Sequence, residues 1–144
     1  MKNTISSLMV FAILTLSTTL AFAEPVAVIV NSANAQAVSQ SDVKNIYNDQ
    51  VITWADGEKI TVYNLPIAAS AREIFSQKIL GMSAEMAAAA ESNRLITNTQ
   101  RNPQKLKRER LVVSIVSKNP HAIGYVPKSA TDGVEGIRVL FTLE

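Results

Sequence analysis

The sequence is 144 residues long and carries 14 basic and 12 acidic side chains, one histidine and no cysteine. The absence of cysteine excludes thiol catalysis, thiolate metal sites and disulfides, so a chain of this size must be stabilised by its hydrophobic core. A single histidine without clustered carboxylates leaves almost no material for a metal site or a catalytic triad.

The first 23 residues have the pattern of a secretory signal peptide. Lys2 supplies a short positive region, Leu8 to Leu20 is apolar apart from small hydroxyl residues, and Ala21-Phe22-Ala23 matches the small-x-small cleavage pattern. We predict cleavage after Ala23, leaving one periplasmic domain at residues 24–144 with no stable membrane insertion. The alternative, a retained membrane anchor, is weaker because the apolar run is short for a bilayer and contains serines and threonines.

The next segments predict a strand followed by a short helix. The β-branched run VAVIVN at residues 26–31 is typical of a strand buried on both faces of a sheet. Ser39 and Asp42 have the spacing of a capping box, which predicts a helix start. The apolar positions of this helix are Val43, Ile46 and Tyr47.

Trp54 lies just before the turn sequence Ala55-Asp56-Gly57. A tryptophan beside a turn serves either as a core residue or as a platform for a ligand, and we interpret Trp54 as a core residue. The alternating segment from Lys59 to Tyr63 then predicts a strand with Ile60 and Val62 facing inward.

The stretch NLPIAASAREIFSQKILG, residues 64–81, is the most informative part of the chain. Ser70 and Glu73 have capping-box spacing, and Gly81 suits a left-handed end of the helix. A helix that starts at a sheet edge offers unpaired N–H groups and the positive end of its dipole to an anion. The same letters fit a purely structural helix start, because the Glu73 carboxylate would compete for these amides; Arg72 would offset its charge.

Two further helices are predicted in the second half of the chain. Ser83 begins one that runs through the alanines at 87–90. Its expected buried positions are Met86, Ala90 and Leu95. Asn102-Pro103 predicts the start of the other helix, which ends before Asn119-Pro120.

Six basic residues and one acidic residue lie between Arg94 and Arg110. This stretch is either a solvated helix face or a basic rim that draws anions toward a cleft. Nucleic acid is a poor candidate for a partner because the chain carries an export signal.

The chain ends with two predicted strands, Ala122 to Val126 and Ile137 to Leu143. Gly124 lies inside the first of them, which indicates a close approach of a neighbouring segment. Strands that alternate with helices predict an α/β fold, with a three-layer arrangement in which helices flank a mixed sheet.

Three segments resemble a known family. In order they are IYNDQVITWADGEKITVYN at 46–64, REIFSQKILG at 72–81 and NPHAIGYV at 119–126. Together they are similar to the substrate-binding protein of the phosphate ABC transporter, and the resemblance covers nearly all of Val26 to Val126. It implies a domain like one lobe of a two-lobed periplasmic binding protein.

The resemblance also implies where a ligand would bind. The Ser-Gly-Thr with which the family holds phosphate falls on Ala69-Ser70-Ala71, a family arginine falls near Asn64, and His121 replaces a family glycine. Our first hypothesis is a non-enzymatic domain without a cofactor, linked to phosphate uptake, that holds phosphate or another oxyanion weakly. The residues expected to hold it are Ser70, Ala71, Arg72 and Arg101.

In a second hypothesis the domain has the same fold but binds no small ligand. In this case the domain is a scaffold or accessory protein that docks on an envelope protein or forms a homodimer. A hydrolase that uses Ser70 is disfavoured, because no base lies near Ser70 in the sequence and His121 would have to be brought close to it.

Overall fold

A five-stranded mixed sheet organises the fold in the computed structural model, which describes residues 23–144. The predicted signal peptide, apart from Ala23, lies outside the described residues. The strands are β1 (Val26–Asn31), β2 (Thr61–Asn64), β3 (Lys105–Leu106), β4 (Ala122–Pro127) and β5 (Ile137–Leu143). They lie in the order β3-β2-β4-β1-β5. β2 is parallel to both of its neighbours, β3 and β4, so the carboxyl ends of these three strands meet at one edge of the sheet.

The fold also contains four α-helices in the described residues. They are α1 (Gln40–Tyr47), α2 (Ser70–Phe75), α3 (Ala84–Ile96) and α4 (Glu109–Lys118). α2 continues without a break into a π-helix, Ser76–Leu80, which ends at Gly81 with a φ of 71° as predicted. A 3₁₀ turn, Lys128–Thr131, follows β4. Within residues 23–144, none of the helices is long and apolar enough to cross a bilayer.

Strand β4 shows that helices cover both faces of the sheet. Gly124 faces α4, where a Cβ atom added to the glycine would lie only 2.6 Å from Cγ1 of Val112. The next residue, Tyr125, points to the opposite face, and its ring stacks on the ring of Phe75 in α2 at a centroid distance of 3.9 Å. The sheet is therefore the middle of three layers. The α/β class and the close approach at Gly124 are confirmed.

The central strand segments are buried as the sequence predicts. All six residues of β1 are buried, and so are Ile60 and Val62. Trp54 is buried as well, and its Nε1 donates a hydrogen bond of 2.9 Å to the carbonyl oxygen of His121. The interpretation of Trp54 as a core residue is therefore confirmed.

The capping box that starts α1 is confirmed. The Ser39 hydroxyl accepts a hydrogen bond from the amide of Asp42 at 3.1 Å, and the Asp42 carboxylate accepts one from the amide of Ser39 at 2.8 Å. The hydrogen bonds that the Asp42 carboxylate accepts from the amide and the hydroxyl of Ser39 lower the pKa of Asp42. Ser83 also caps its helix as predicted, by accepting from the amide of Met86 at 3.1 Å.

The helix predicted to start at Asn102-Pro103 is wrong. Strand β3 occupies residues 105–106, and α4 begins only at Glu109. The side chain of Asn102 donates to the carbonyl of Ile60 at 2.8 Å, and its amide donates to the Asp49 carboxylate at 2.8 Å. Asn102 therefore joins distant segments and caps no helix.

The burial predicted on α3 is also wrong for two of its residues. Met86 and Leu95 are exposed, Ala90 is half-buried, and Ala84 is the one residue of the helix that is fully buried. The reason is that α3 packs on the π-helix at the surface and not on the sheet.

Candidate functional site

The loop after β2 and the first turn of α4 enclose an open cleft at the carboxyl edge of the sheet. Its volume is about 770 Å³, within the range of small-ligand sites. The lining residues are Pro66, Ala68, Ala69, Arg108, Glu109, Arg110 and Leu111. We call this region the carboxyl-edge cleft.

Pairing between β2 and β3 fixes the position of this cleft. Asn64 at the end of β2 pairs with Leu106, and the amide of Lys107 donates to the carbonyl of Asn64 at 3.0 Å. The backbone is still extended at Arg108, whose carbonyl accepts from the amide of Val112 at 3.0 Å and so begins α4. The first turn of α4 therefore lies beside the end of β2.

Unpaired amides occur at the starts of both α2 and α4. The N–H groups of Ser70 and Ala71, and those of Glu109 and Arg110, have no hydrogen-bond partner in the described part of the chain. The amide of Arg72, by contrast, donates to the carbonyl of Ala69 at 3.0 Å. Free N–H groups at helix starts favour anionic groups near them.

The capping box predicted at Ser70 and Glu73 is wrong. Ala69 precedes the first helical residue, makes no side-chain cap, and leaves Ser70 exposed as the first residue of α2. The Glu73 carboxylate instead accepts from the amide of Ala84 at 2.9 Å and from the side chain of Gln77 at 3.0 Å. These two hydrogen bonds lower the pKa of Glu73. The competition expected between Glu73 and an anion is therefore removed.

Arg72 is buried beneath α3 and does not line the cleft. It is 4% exposed, and its Nη1 donates to the carbonyl of Leu65 at 2.8 Å. Its Nε has no partner within residues 23–144 and borders a polar cavity of about 10 Å³, close to the space that one water needs. Glu91 also lines this cavity, and burial raises the pKa of Glu91 against the opposing effect of Arg72.

Arg101 is also absent from the cleft lining. Its guanidinium donates to the carbonyls of Asp49 and Gln50 at 2.7 and 2.9 Å, and its amide donates to the Asp49 carboxylate at 2.6 Å. Of the four site residues predicted from sequence, Ser70 and Ala71 directly follow the lining residue Ala69 but are not themselves part of the cleft lining. Arg72 and Arg101 do not line the cleft either.

Arg108 and Arg110 are the cationic side chains of the cleft, and both are exposed. Neither forms a hydrogen bond or an ion pair with another side chain in the described residues, where the one ion pair joins Lys128 to Asp132. From the sequence alone, both arginines belong to the basic stretch but not to the site, because the helix predicted from Asn102-Pro103 places them in its middle. The excess of basic residues between Arg94 and Arg110, interpreted as a basic rim, is the sequence signal that points to these two arginines.

Behind β2 lies a group of buried polar side chains that we call the polar framework. Its members are Tyr47, Asp49, Asn64, Asn102, Gln104 and Tyr125. The Asn64 side chain donates to Gln104 at 2.7 Å and accepts from the amide of Leu65 at 2.9 Å and from the Tyr125 hydroxyl. The Asn64 side chain is therefore engaged in hydrogen bonds inside the protein and is not available to a ligand in the cleft.

No grouping of three or more histidine, aspartate or glutamate side chains suited to a metal ion occurs in residues 23–144. His121 lies at the opposite edge of the sheet, in a pocket of about 450 Å³ that Asn34, Trp54 and Asp56 also line. The carboxyl-edge cleft is the larger of these two openings and the one that contains arginines.

Comparison with known proteins supports the fold. No family model and no curated protein matches the chain. Three solved structures do match over 81% of it: an ABC-type phosphate transport receptor from Vibrio cholerae, with 17% identity and a TM-score of 0.61; a protein described as a possible phosphate-binding protein from Planctomyces limnophilus, with 16% and 0.62; and a protein from Clostridium perfringens described as a phosphate ABC transporter substrate-binding protein with phosphate bound, with 20% and 0.58.

The chain spans less than half of each of these proteins, namely 45%, 40% and 44% of their lengths. At this level of identity the likeness shows the fold alone, a mixed α/β architecture similar to one lobe of these phosphate-binding proteins. The expected resemblance in fold is thereby confirmed. The three neighbours are described as binding or transport proteins and not as enzymes.

Proposed function

We propose that this chain is a periplasmic, non-enzymatic domain of the solute-binding-protein type that holds phosphate or another oxyanion weakly in the carboxyl-edge cleft. The signal peptide predicted at residues 1–23 supports export. The fold neighbours, which are phosphate-binding or phosphate-transport proteins by description, support an oxyanion as the ligand and a link to phosphate uptake.

One observation carries the proposal. Arg108 and Arg110 line the open cleft together with Ala69, which directly precedes the unpaired amides of Ser70 and Ala71, and neither arginine has a carboxylate partner in residues 23–144. Charge-assisted hydrogen bonds from guanidinium and amide groups to an oxyanion are the strongest kind available to a protein. The unoccupied donors therefore suit an anionic ligand.

Binding is expected to be weak for two reasons. The cleft is open to solvent on one side, so a bound anion remains partly hydrated, whereas tight capture of a dehydrated dianion needs many donors. In addition, the carboxylate of Glu109 belongs to the cleft lining and repels a second negative charge.

The four residues predicted from sequence take different roles in this proposal. Ser70 and Ala71 contribute amides, and the Ser70 hydroxyl is free because it caps no helix. Arg72 supports the cleft by holding the carbonyl of Leu65, which directly precedes the loop that lines it. Arg101 supports the framework through Asp49 and does not touch the ligand.

Thermal unfolding tests the proposal. Sodium phosphate and sodium chloride are compared at equal ionic strength, because a salt effect alone would act in both. Phosphate at about 100 times its dissociation constant stabilises a binding protein by about 2.7 kcal/mol, which for a domain of this size raises Tm by about 10 °C. No difference between the two salts at tens of millimolar phosphate would refute phosphate binding.

A matched pair of variants locates the site. The double variant Arg108→Gln/Arg110→Gln is expected to lose the phosphate-dependent shift. The double variant Lys59→Gln/Lys78→Gln removes the same charge from exposed positions outside the cleft lining and is expected to keep the shift. Equal losses in both variants would indicate a nonspecific effect of net charge.

A further inference from the structure

We infer that the oxyanion received by the carboxyl-edge cleft is a carboxylate carried on an acidic, apolar segment of a partner protein. The inference rests on the proposed function, since it names the ligand of the same cleft. It is argued from the apolar side chains around the cleft, its charge and its position at a sheet edge.

Exposed apolar side chains lie on the segments that form the cleft. Ile67, Leu106 and Leu111 are 48%, 56% and 51% exposed. Leu111 lines the cleft, Ile67 lies between the lining residues Pro66 and Ala68, and Leu106 precedes Arg108 by two residues. Grouped exposed apolar side chains rimmed by charged residues are typical of protein interaction sites.

The lining itself suits a carboxylate attached to an apolar group better than free phosphate. Pro66, Ala68, Ala69 and Leu111 contribute no polar side-chain atom to the cleft. A free phosphate placed there would lose hydration on the side that faces these residues without gaining hydrogen bonds in return. A carboxylate side chain needs fewer donors, and apolar neighbours on its own chain would cover the rest of the wall.

The charge around the cleft selects an acidic partner. Five basic residues and one acidic residue lie between Arg101 and Arg110. A symmetric dimer through this face would bring the arginines of both copies together, which repulsion disfavours. The lining contains no aromatic side chain on which a nucleic-acid base could stack.

The position of β3 allows an extended segment to add backbone hydrogen bonds. β3 is the edge strand of the sheet, and both of its residues, Lys105 and Leu106, are exposed. Its outer side has no neighbouring strand in the described part of the chain. An extended segment that pairs there would continue into the cleft beside Arg108.

Selection from a displayed library of random peptides, with the exported chain as bait, tests the inference. The expected peptides combine an aspartate or glutamate with apolar residues. Their affinity, measured by fluorescence anisotropy, should fall by about tenfold or more with Leu111→Ser and with Arg108→Gln/Arg110→Gln. It should be unchanged with Lys59→Gln/Lys78→Gln. Since Leu111 is exposed, its replacement leaves the core intact, which circular dichroism verifies.

Three results would overturn the inference. They are the absence of any enriched sequence, enrichment of peptides without an acidic residue, and acidic peptides whose affinity is the same for Leu111→Ser as for the unaltered protein. Cleft-dependent binding of single-stranded oligonucleotides in place of peptides would overturn it as well. Competition with phosphate separates this inference from the proposed function. If phosphate stabilises the protein but no acidic peptide binds, the proposed function holds and the inference fails. If acidic peptides bind in the cleft, phosphate does not displace them and phosphate does not stabilise the protein, the ligand is a carboxylate and not phosphate.

Discussion

The polar framework behind β2 and the carboxyl-edge cleft at its end use polar side chains in opposite ways. In the framework, both carboxylate oxygens of Asp49 accept backbone amides, at 2.6 and 2.8 Å, and Asn102 donates to the carbonyl of Ile60. In the cleft, Arg108 and Arg110 are exposed and unpaired with respect to residues 23–144. What distinguishes a candidate site here is therefore the presence of unsatisfied donors and not the presence of charge.

This difference separates stability from binding. Removing a framework group leaves buried polar atoms or a cavity, each of which destabilises the fold. Removing an exposed cleft side chain leaves water in its place, at almost no cost in unfolding free energy. The two regions should consequently respond to different measurements.

Phe75→Ala, which removes the ring packed against the framework residues Tyr47 and Tyr125, gives the largest expected effect. Phe75 is fully buried, stacks on Tyr125 at 3.9 Å and lies 4.7 Å from the Tyr47 ring. Its truncation should lower the free energy of unfolding by about 3–5 kcal/mol. Urea unfolding monitored by circular dichroism measures the loss, and Phe75→Leu serves as a milder variant if the alanine variant does not fold.

The matched change in the cleft is Arg108→Gln/Arg110→Gln, which should alter the same free energy by less than about 0.5 kcal/mol. A loss of more than about 2 kcal/mol would show that these arginines belong to the framework after all. The comparison between the two regions would then fail.

Local signals in the sequence were sufficient for most of the elements. The β-branched run of β1, the capping box at Ser39 and Asp42, the cap at Ser83 and the left-handed Gly81 all have the predicted roles. Each of these signals depends on residues within a few positions of one another, so the local sequence is sufficient to predict the structure that forms there.

Partners that are distant in sequence caused the errors. Asn102 has a good helix-cap pattern, but its partners Asp49 and Ile60 lie 53 and 42 residues away. Arg72 and Arg101 are predicted from the family resemblance to help hold the anion, whereas in the structure their side chains donate to backbone carbonyls. Sequence spacing cannot indicate whether an arginine is satisfied inside the protein, and this is what decides which ones are free for a ligand.

Two serines at helix starts give the next prediction. Ser39→Ala removes a capping hydrogen bond to the amide of Asp42 and should cost about 1 kcal/mol. Ser70→Ala removes no cap, because Ala69 holds that position, and should change stability by no more than a few tenths of a kcal/mol. Thermal or urea unfolding of both variants decides between them. Equal losses would restore Ser70 as a structural cap and weaken its assignment to the cleft.

One glutamate in α2 and one in α3 give the smallest expected effect, which appears as a dependence on pH. The pKa of Glu73 is lowered by its hydrogen bonds to Ala84 and Gln77, so its contribution to stability is present above the ordinary pKa of 4.5 and is lost as the pH falls. The pKa of Glu91 is raised by burial beside Arg72, so its contribution is present below 4.5 and is lost as the pH rises through the folded-state value.

Glu73→Gln should therefore reduce the loss of Tm on acidification, whereas Glu91→Gln should raise Tm relative to wild type more at neutral pH than at acidic pH. Melting curves of the three proteins across this range measure both slopes. If Glu91→Gln instead lowers Tm at neutral pH, the Glu91 carboxylate stabilises the buried Arg72 guanidinium across the small cavity. Glu91 and Arg72 would then form an ion pair bridged by water that belongs to the framework.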